Sequence, residues 1–391
     1  MVEIAFLRDL VVLFSVSVVV VYFFDKLGLP AVVGFLVAGA MVGPYGLDFV
    51  EDVSRVEVFA EIGVVLLLFT IGVEFSLSHI PSLRAIIGAG ALQIGATIAL
   101  STIAAMAFGL PWNEGVFWGF LAAMSSTAIV LNMITTRGET NSPHGRLSLG
   151  ILIVQDFAVL PMMILTPGLA NQGGGFTAVV WPLVQAILLI ALILIAARFL
   201  VPRMLERVVK SRSRELFLIT IILICLGIAW LTSLAGLSLA MGAFIAGLII
   251  SESEYSHQAM VEVLPFRHGF NSLFFISIGM LLDVRVLLAH PVLVTVVVLA
   301  VVVGKSLLTA ASAIATGYAW RPAILTGVAL AQVGEFSFIL SKVGKDAGLL
   351  STEYFQVFLA VSVLTLLFTP FLIQVSPKIA RRAEAIERLY H

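Results

Sequence analysis

Segments apolar enough to cross a bilayer, which takes about 20 residues of helix, recur along almost the whole of this chain. Gly, Pro and charge clusters separate about thirteen of them, at 6–25, 30–44, 55–77, 83–109, 114–137, 144–168, 177–200, 214–234, 237–252, 264–282, 289–316, 320–344 and 353–376. Hydrocarbon offers the backbone no partner, so each such segment must satisfy its own N–H and C=O groups, as a helix does. Composition agrees: 60% of the 391 residues are hydrophobic and 12% charged, against about a quarter charged in soluble domains. The expected fold is an all-α, multi-pass membrane protein with the lipid bilayer as its first partner. Glu3 and Asp9 replace the basic start of a signal peptide, so 6–25 reads as a retained span. The single cysteine, Cys225, allows no intrachain disulfide.

Charge placement sets the expected orientation. Of the 22 Lys and Arg residues, 16 fall in the tail or in loops after odd-numbered spans, five fall on the other side, and Lys305 lies within a span. Basic residues stay cytoplasmic, so the N-terminus is expected outside and the C-terminus inside. The basic linker from Pro202 to Arg214 lies just past mid-chain, and motifs repeat across it. Gly34-Phe-Leu-Val-Ala-Gly39 reappears as Gly242-Ala-Phe-Ile-Ala-Gly247, Thr70-Ile-Gly-Val73 as Ser277-Ile-Gly-Met280, and Gly119-Phe-Leu-Ala-Ala123 as Gly327-Val-Ala-Leu-Ala331. All three share an offset of 207 or 208 residues. The implied plan is a first repeat of six spans over 1–170, a connector span and basic linker over 171–208, a second six-span repeat over 209–378 and a basic cytoplasmic tail over 379–391. Matching spans are seven apart, so the halves face opposite ways, as in secondary transporters with a midplane site.

Ionisable residues inside spans mark where that site should be. Asp156, beside Gln155 in an apolar run, lies about ten residues, or roughly 15 Å of helix, from Arg146. A carboxylate at that depth is costly and points to an ion or proton pathway, although a structural hydrogen bond between helices would also hold it. In span five, Ser125, Ser126 and Thr127 are small hydroxylated residues suited to an unwound break or to close helix packing. Span twelve carries Gln332, Gly334, Glu335 and Ser337 at the equivalent place. Lys305 is too deep to snorkel, and Asp156 or Glu335 could pair with it, as a fixed ion pair or as one that a cation breaks. Glu61 and Glu74 could lie near the ends of span three, and Asn132 could add a neutral oxygen. No His-Glu-x-x-His or histidine cluster suggests a hydrolase or a bound metal cofactor, and nothing suggests a nucleic-acid partner.

These residues carry a resemblance. Ser125-Ser-Thr-Ala-Ile-Val130, Gln155-Asp156, Gly247-Leu-Ile-Ile-Ser-Glu-Ser253, Pro265-Phe-Arg267, Phe274-Phe-Ile-Ser-Ile-Gly-Met280 and Gln332-Val-Gly-Glu-Phe-Ser337 together resemble the transmembrane part of Kef-type cation:proton antiporters. The resemblance implies two broken helices in a moving core, spans four to six and eleven to thirteen, beside a homodimerising scaffold in a bacterial inner membrane. It implies that Asp156 binds the monovalent cation, K+ or Na+, and the proton in turn, that Gln155 replaces the first acid of paired-aspartate relatives, and that Lys305 is the core lysine. It implies no enzyme activity and no cofactor beyond the transported ions. Kef systems usually continue into a cytosolic nucleotide-binding domain; here the sequence runs only to His391, so such a domain or an ancillary subunit is expected as a separate partner or in a longer chain. The segment from Glu254 to Glu262, with His257, resembles a Kef gating loop with fewer acids. The expected function is electroneutral K+/H+ antiport on one carboxylate, against Na+/H+ antiport or a ligand-gated K+ channel.

Overall fold

The computed structural model describes residues 2–50, 53–74, 84–170, 184, 188, 195, 199–234 and 239–390. Among them every regular element is helical. The helices are α1 (Val2–Lys26), α2 (Ala31–Val42), α3 (Val53–Glu74), α4 (Arg84–Ala107), α5 (Trp112–Ala123), α6 (Thr127–Thr136) and α7 (Pro143–Ala170). After the linker come α8 (Arg214–Ser233), α9 (Leu239–Ser251), α10 (Ser256–Met280), α11 (Val284–Ala289), α12 (Pro291–Ala315), α13 (Trp320–Ala329), α14 (Glu335–Asp346) and α15 (Thr352–Tyr390). Seven helical stretches among the described residues are long and apolar enough to cross a membrane. Of the other expected spans, α2 has 12 residues and α9 has 13, and span twelve is split into α13 and α14. The expected connector span at 177–200 lies largely outside the described residues, as do Glu74's side chain and those of the tail beyond Arg382.

One sequence boundary needs correction. The expected loop from Glu254 to Glu262 is helical from Ser256 onward, because nothing breaks the run from Ser256 into the span and Pro265 is carried inside α10. At the other end, α15 continues into the tail as far as Tyr390, through Pro370 and Pro377.

Neighbouring helices fall into two groups. In one, α3 packs on α9 and α10, α10 on α2, α2 on α1 and α9 on α8; in the other, α4, α5, α6 and α7 pack with α12, α13, α14 and α15. The first matches the scaffold and the second the core that the sequence implied. A single apolar cluster fills the boundary, with Leu36, Leu68 and Phe244 of the first group against Phe117, Met124 and Phe336 of the second.

The glycine contacts reveal the internal symmetry. Lipid tails are as apolar as the helices, so close approach through small residues, rather than hydrophobic burial, drives association here. A Cβ on Gly39 of α2 would overlap the carbonyl of Ile276 in α10, and one on Gly279 of α10 would overlap that of Leu36 in α2. Shifted by 207 or 208 residues, the same crossing recurs: Gly247 of α9 meets the Phe69 carbonyl of α3, and Gly72 of α3 meets the Phe244 carbonyl of α9. Gly34 packs on Val21 and Phe24 of α1, and Gly242 on Ala229 and Thr232 of α8; Gly119 meets Ile98 of α4, and Gly327 meets Ser306 of α12. Each half reaches into the other through equivalent residues, which a two-fold relation between the halves produces. The repeated motifs are thus the points of backbone contact. Gly39→Ala should lower stability by about 1–3 kcal/mol through overpacking, read as a lower thermal midpoint in detergent. Gly95→Ala, where a Cβ meets nothing, should leave the midpoint unchanged or raise it.

Candidate functional site

Two interrupted helices cross in the core. The first break, Met124 to Ser126, separates α5 from α6; the second, Leu330 to Gly334, separates α13 from α14. They touch directly: Gly334 N donates to Met124 O at 3.1 Å, the Ser125 hydroxyl to Leu330 O at 3.0 Å and the Ser337 hydroxyl to Leu121 O at 2.7 Å. A Cβ on Gly334 would overlap the Ser125 backbone, so only glycine lets the strands cross this closely.

Each break leaves two kinds of orphan. The C-terminal ends of α5 and α13 present carbonyls, and the N-terminal ends of α6 and α14 present N–H groups, with partial charges of opposite sign. Lys305, 3% exposed, serves the carbonyl ends: its ammonium donates to Met124 O and to Gln332 O, the latter at 2.8 Å. The carboxylate partner that sequence alone suggested is thus not needed to hold it there, since half-helix dipoles supply the negative end. Glu335, 7% exposed, serves the N–H ends. It opens α14 and faces the start of α6, accepting from Ala128 N at 3.5 Å. Ser126 is the N-cap of α6, its hydroxyl accepting from Ile129 N at 3.3 Å. Gln332 is fully buried and its side-chain atoms find no protein partner.

Gln155 and Asp156 approach the same crossing from α7 but do different things. Gln155 is 0% exposed; its Oε1 accepts from Ser125 N at 2.8 Å and its Nε2 donates to Gln93 Oε1 at 2.8 Å. Gln93 passes the chain on to Thr97 Oγ1 at 3.2 Å and Ala123 O at 3.3 Å. Gln155 is therefore a backbone clamp. Asp156 is half-buried, and the Thr127 hydroxyl lies 3.3 Å from each of its carboxylate oxygens. Thr127 is the first residue of α6, so this acid sits at a helix N-terminus, where a negative charge is favoured.

The face of α6 beyond Asp156 is exposed. Ala128, Leu131, Asn132, Thr135 and Thr136 are exposed, and their spacing puts them on one face of α6, leading from the carboxylate toward Arg137. On α14 every residue from Glu335 to Ser341 is buried. Beyond it, Lys342 is bonded to Glu61 of α3 at 2.7 Å, linking core to scaffold.

The structure thus brings Asp156, Gln155, Ser125, Ser126, Thr127, Lys305, Glu335 and Gln332, the residues singled out in the sequence, together at one crossing. Asn132 lies on the exposed face, bonded to Thr136 at 3.3 Å. His257 and Glu262 lie in the first turns of α10; Glu262 accepts from Arg214 Nε at 2.7 Å, a pair within the scaffold group. Gln93 and Thr365, whose hydroxyl accepts from Val333 N at 3.2 Å, were missed. Gln93 is an amide in an apolar span, as Gln155 is, whereas Thr365 lies among Ser362 and Thr369 and carries no such signal.

A sequence profile described as "Sodium/hydrogen exchanger, transmembrane" matches residues 12–375. The chain belongs to this family. Among curated relatives of this sodium/hydrogen exchanger family, K(+) efflux antiporter 5 of Arabidopsis thaliana is 34% identical over 96% of this chain and 67% of its own length. K(+) efflux antiporter 4 of the same plant is 35% identical over 90% of this chain and 60% of its own length. KefB of Alkalimonas amylolytica is 35% identical over 96% of this chain and 57% of its own length. The chain thus spans roughly three fifths of the length of the relatives it matches. The sodium proton antiporter MjNhaP1 of Methanocaldococcus jannaschii shares the fold, with a TM-score of 0.63 at 17% identity, over 97% of this chain and 99% of that one. Membership makes this a multi-pass membrane protein of a transporter family.

Proposed function

We propose that this chain exchanges a monovalent cation, K+ by preference, for H+ across a bacterial inner membrane, with Asp156 as the carrier of both. One observation carries the reading: a half-buried carboxylate at the N-terminus of a broken half-helix, at the head of an exposed face of α6. In each cycle the protonated Asp156 releases H+ and its carboxylate takes up one cation, with the Thr127 hydroxyl turning its oxygen to the ion. Either ligand neutralises the site, whereas the bare carboxylate is costly to carry through a low-dielectric barrier. Gln155 cannot ionise, so one charge moves each way and exchange is electroneutral. Glu335 and Lys305 neutralise the half-helix ends and keep the breaks open. The basic residues near Arg137 favour a cytoplasmic position for that end, on which reading the conformation is inward-facing and the outward-facing one requires the Lys342–Glu61 pair to separate. The names of the plant relatives favour K+ over Na+. A homodimer through the scaffold, and control by a cytosolic nucleotide-binding domain or ancillary subunit, complete the proposal.

Purified protein in sealed liposomes with an interior pH dye tests it. Potassium pulses should drive proton movement more strongly than sodium pulses, at a rate unaffected by an imposed membrane potential. Potassium flux with no coupled proton movement would overturn antiport in favour of a channel, and a potential-dependent rate would overturn the one-for-one exchange.

A further inference from the structure

Apart from Asp156 and its partners, the core holds a cavity of roughly 200 Å3 at the Arg137 end. Its lining includes Arg137, Arg321, Glu139 and His144, with Ile373 and Ser376 of α15. Arg137 is the C-cap of α6, and its guanidinium donates to Ile373 O at 3.2 Å. That bond turns it toward α15. Glu139 is engaged by His144 in the first turn of α7, Nε2 to Oε2 at 3.2 Å. The lining therefore brings two guanidiniums to one cavity, where Glu139 is already held by His144. His144 and Arg321, in the first turns of α7 and α13, bring their side chains to its wall. Guanidinium forks suit tetrahedral oxyanions. At about 30 Å3 per water, the space takes a phosphate group with a few waters. Just beyond Ser376, α15 adds Lys378, Arg381 and Arg382 on the way out.

We propose that this cavity binds a phosphate-class oxyanion, either inorganic phosphate or the headgroup of an anionic phospholipid. Arg137 belongs to α6 and Arg321 to α13, the half-helices leading to the two breaks from this end. A bound anion bridges them. The cation site at Asp156 plays no part in this binding, so the proposal stands apart from the antiport reading.

The test follows the thermal midpoint of the detergent-purified protein through its five tryptophans, at constant ionic strength. Inorganic phosphate is titrated against chloride, and dihexanoyl phosphatidylglycerol against dihexanoyl phosphatidylcholine. The proteins are wild type, Arg137→Gln/Arg321→Gln and Arg137→Lys/Arg321→Lys. Wild type should show a saturable rise in midpoint; the Gln pair should need at least tenfold more ligand, and the Lys pair less than that. A response to phosphate alone identifies the free ion, to phosphatidylglycerol alone the lipid headgroup, and to both the shared phosphate group. No rise in wild type with either probe overturns the proposal, as does a Gln pair with wild-type half-saturation. Where the double variant does not fold, Arg321→Gln alone decides by the same criterion.

Discussion

Asp156→Asn should reduce cation-driven proton movement in liposomes to the level of protein-free vesicles while leaving the folded protein intact. The amide has almost the size of the carboxylate, and its oxygen can still accept from the Thr127 hydroxyl, so the packing around α6 has no reason to change. It can neither bind a proton in the working range nor offer a full negative charge to a cation. Both half-reactions are lost together. Thr127→Val gives the scale: it removes one hydroxyl from the site, an interaction worth about 1 kcal/mol, so apparent cation affinity should fall by roughly five- to tenfold with exchange still measurable. Glu335→Gln should also keep exchange, because a glutamine oxygen can still accept from the α6 N–H groups. If the Asn variant keeps more than about a tenth of wild-type exchange, Asp156 is not the carrier, and Glu335, the other buried acid at this crossing, becomes the residue to examine.

How much of this was legible in the chain depends on the kind of signal. The helical class and the two broken spans were readable because hydrocarbon penalises any polar residue it must hold, so Asp156, Glu335, Gln332 and Lys305 stand out from their surroundings. The two-fold relation was readable through Gly39, Gly72, Gly247 and Gly279, whose backbone contacts admit no Cβ and so tolerate little change in either half. Partner choice was not readable. Sequence gives Lys305 a carboxylate by charge alone, whereas the fold brings the unsatisfied carbonyls of Met124 and Gln332 to it, and half-helix ends are invisible until the breaks are placed. Likewise Gln155 sits beside Asp156 in sequence, but helical geometry turns adjacent residues apart, one to the Ser125 backbone and one to Thr127. The start of α10 was misjudged because its polar first turns, from Ser256 to Glu262, read as loop when hydropathy alone is followed.

Lys305 then separates a structural lysine from an ion-exchanging one. Lys305→Ala removes the donor to two buried carbonyls, and charge-assisted hydrogen bonds are worth about 1.5–3 kcal/mol each. Met124 O keeps its bond from Gly334 N, but Gln332 O loses its ammonium partner. The relief of no longer burying an ammonium offsets part of the loss, leaving a net destabilisation of about 3 kcal/mol. The measurement is the thermal midpoint in detergent, which should drop sharply for the Ala variant and by about half as much for Lys305→Gln, whose amide is neutral but can still donate to one carbonyl. The same Gln variant decides the role in transport. A lysine that only ties the two half-helix ends together can lose its charge without changing the exchange ratio, so Lys305→Gln in liposomes should remain electroneutral with cation-driven proton movement intact. If instead its midpoint matches wild type while exchange is abolished or becomes sensitive to membrane potential, then the ammonium charge takes part in the ion cycle and its carbonyl contacts belong to one state of that cycle.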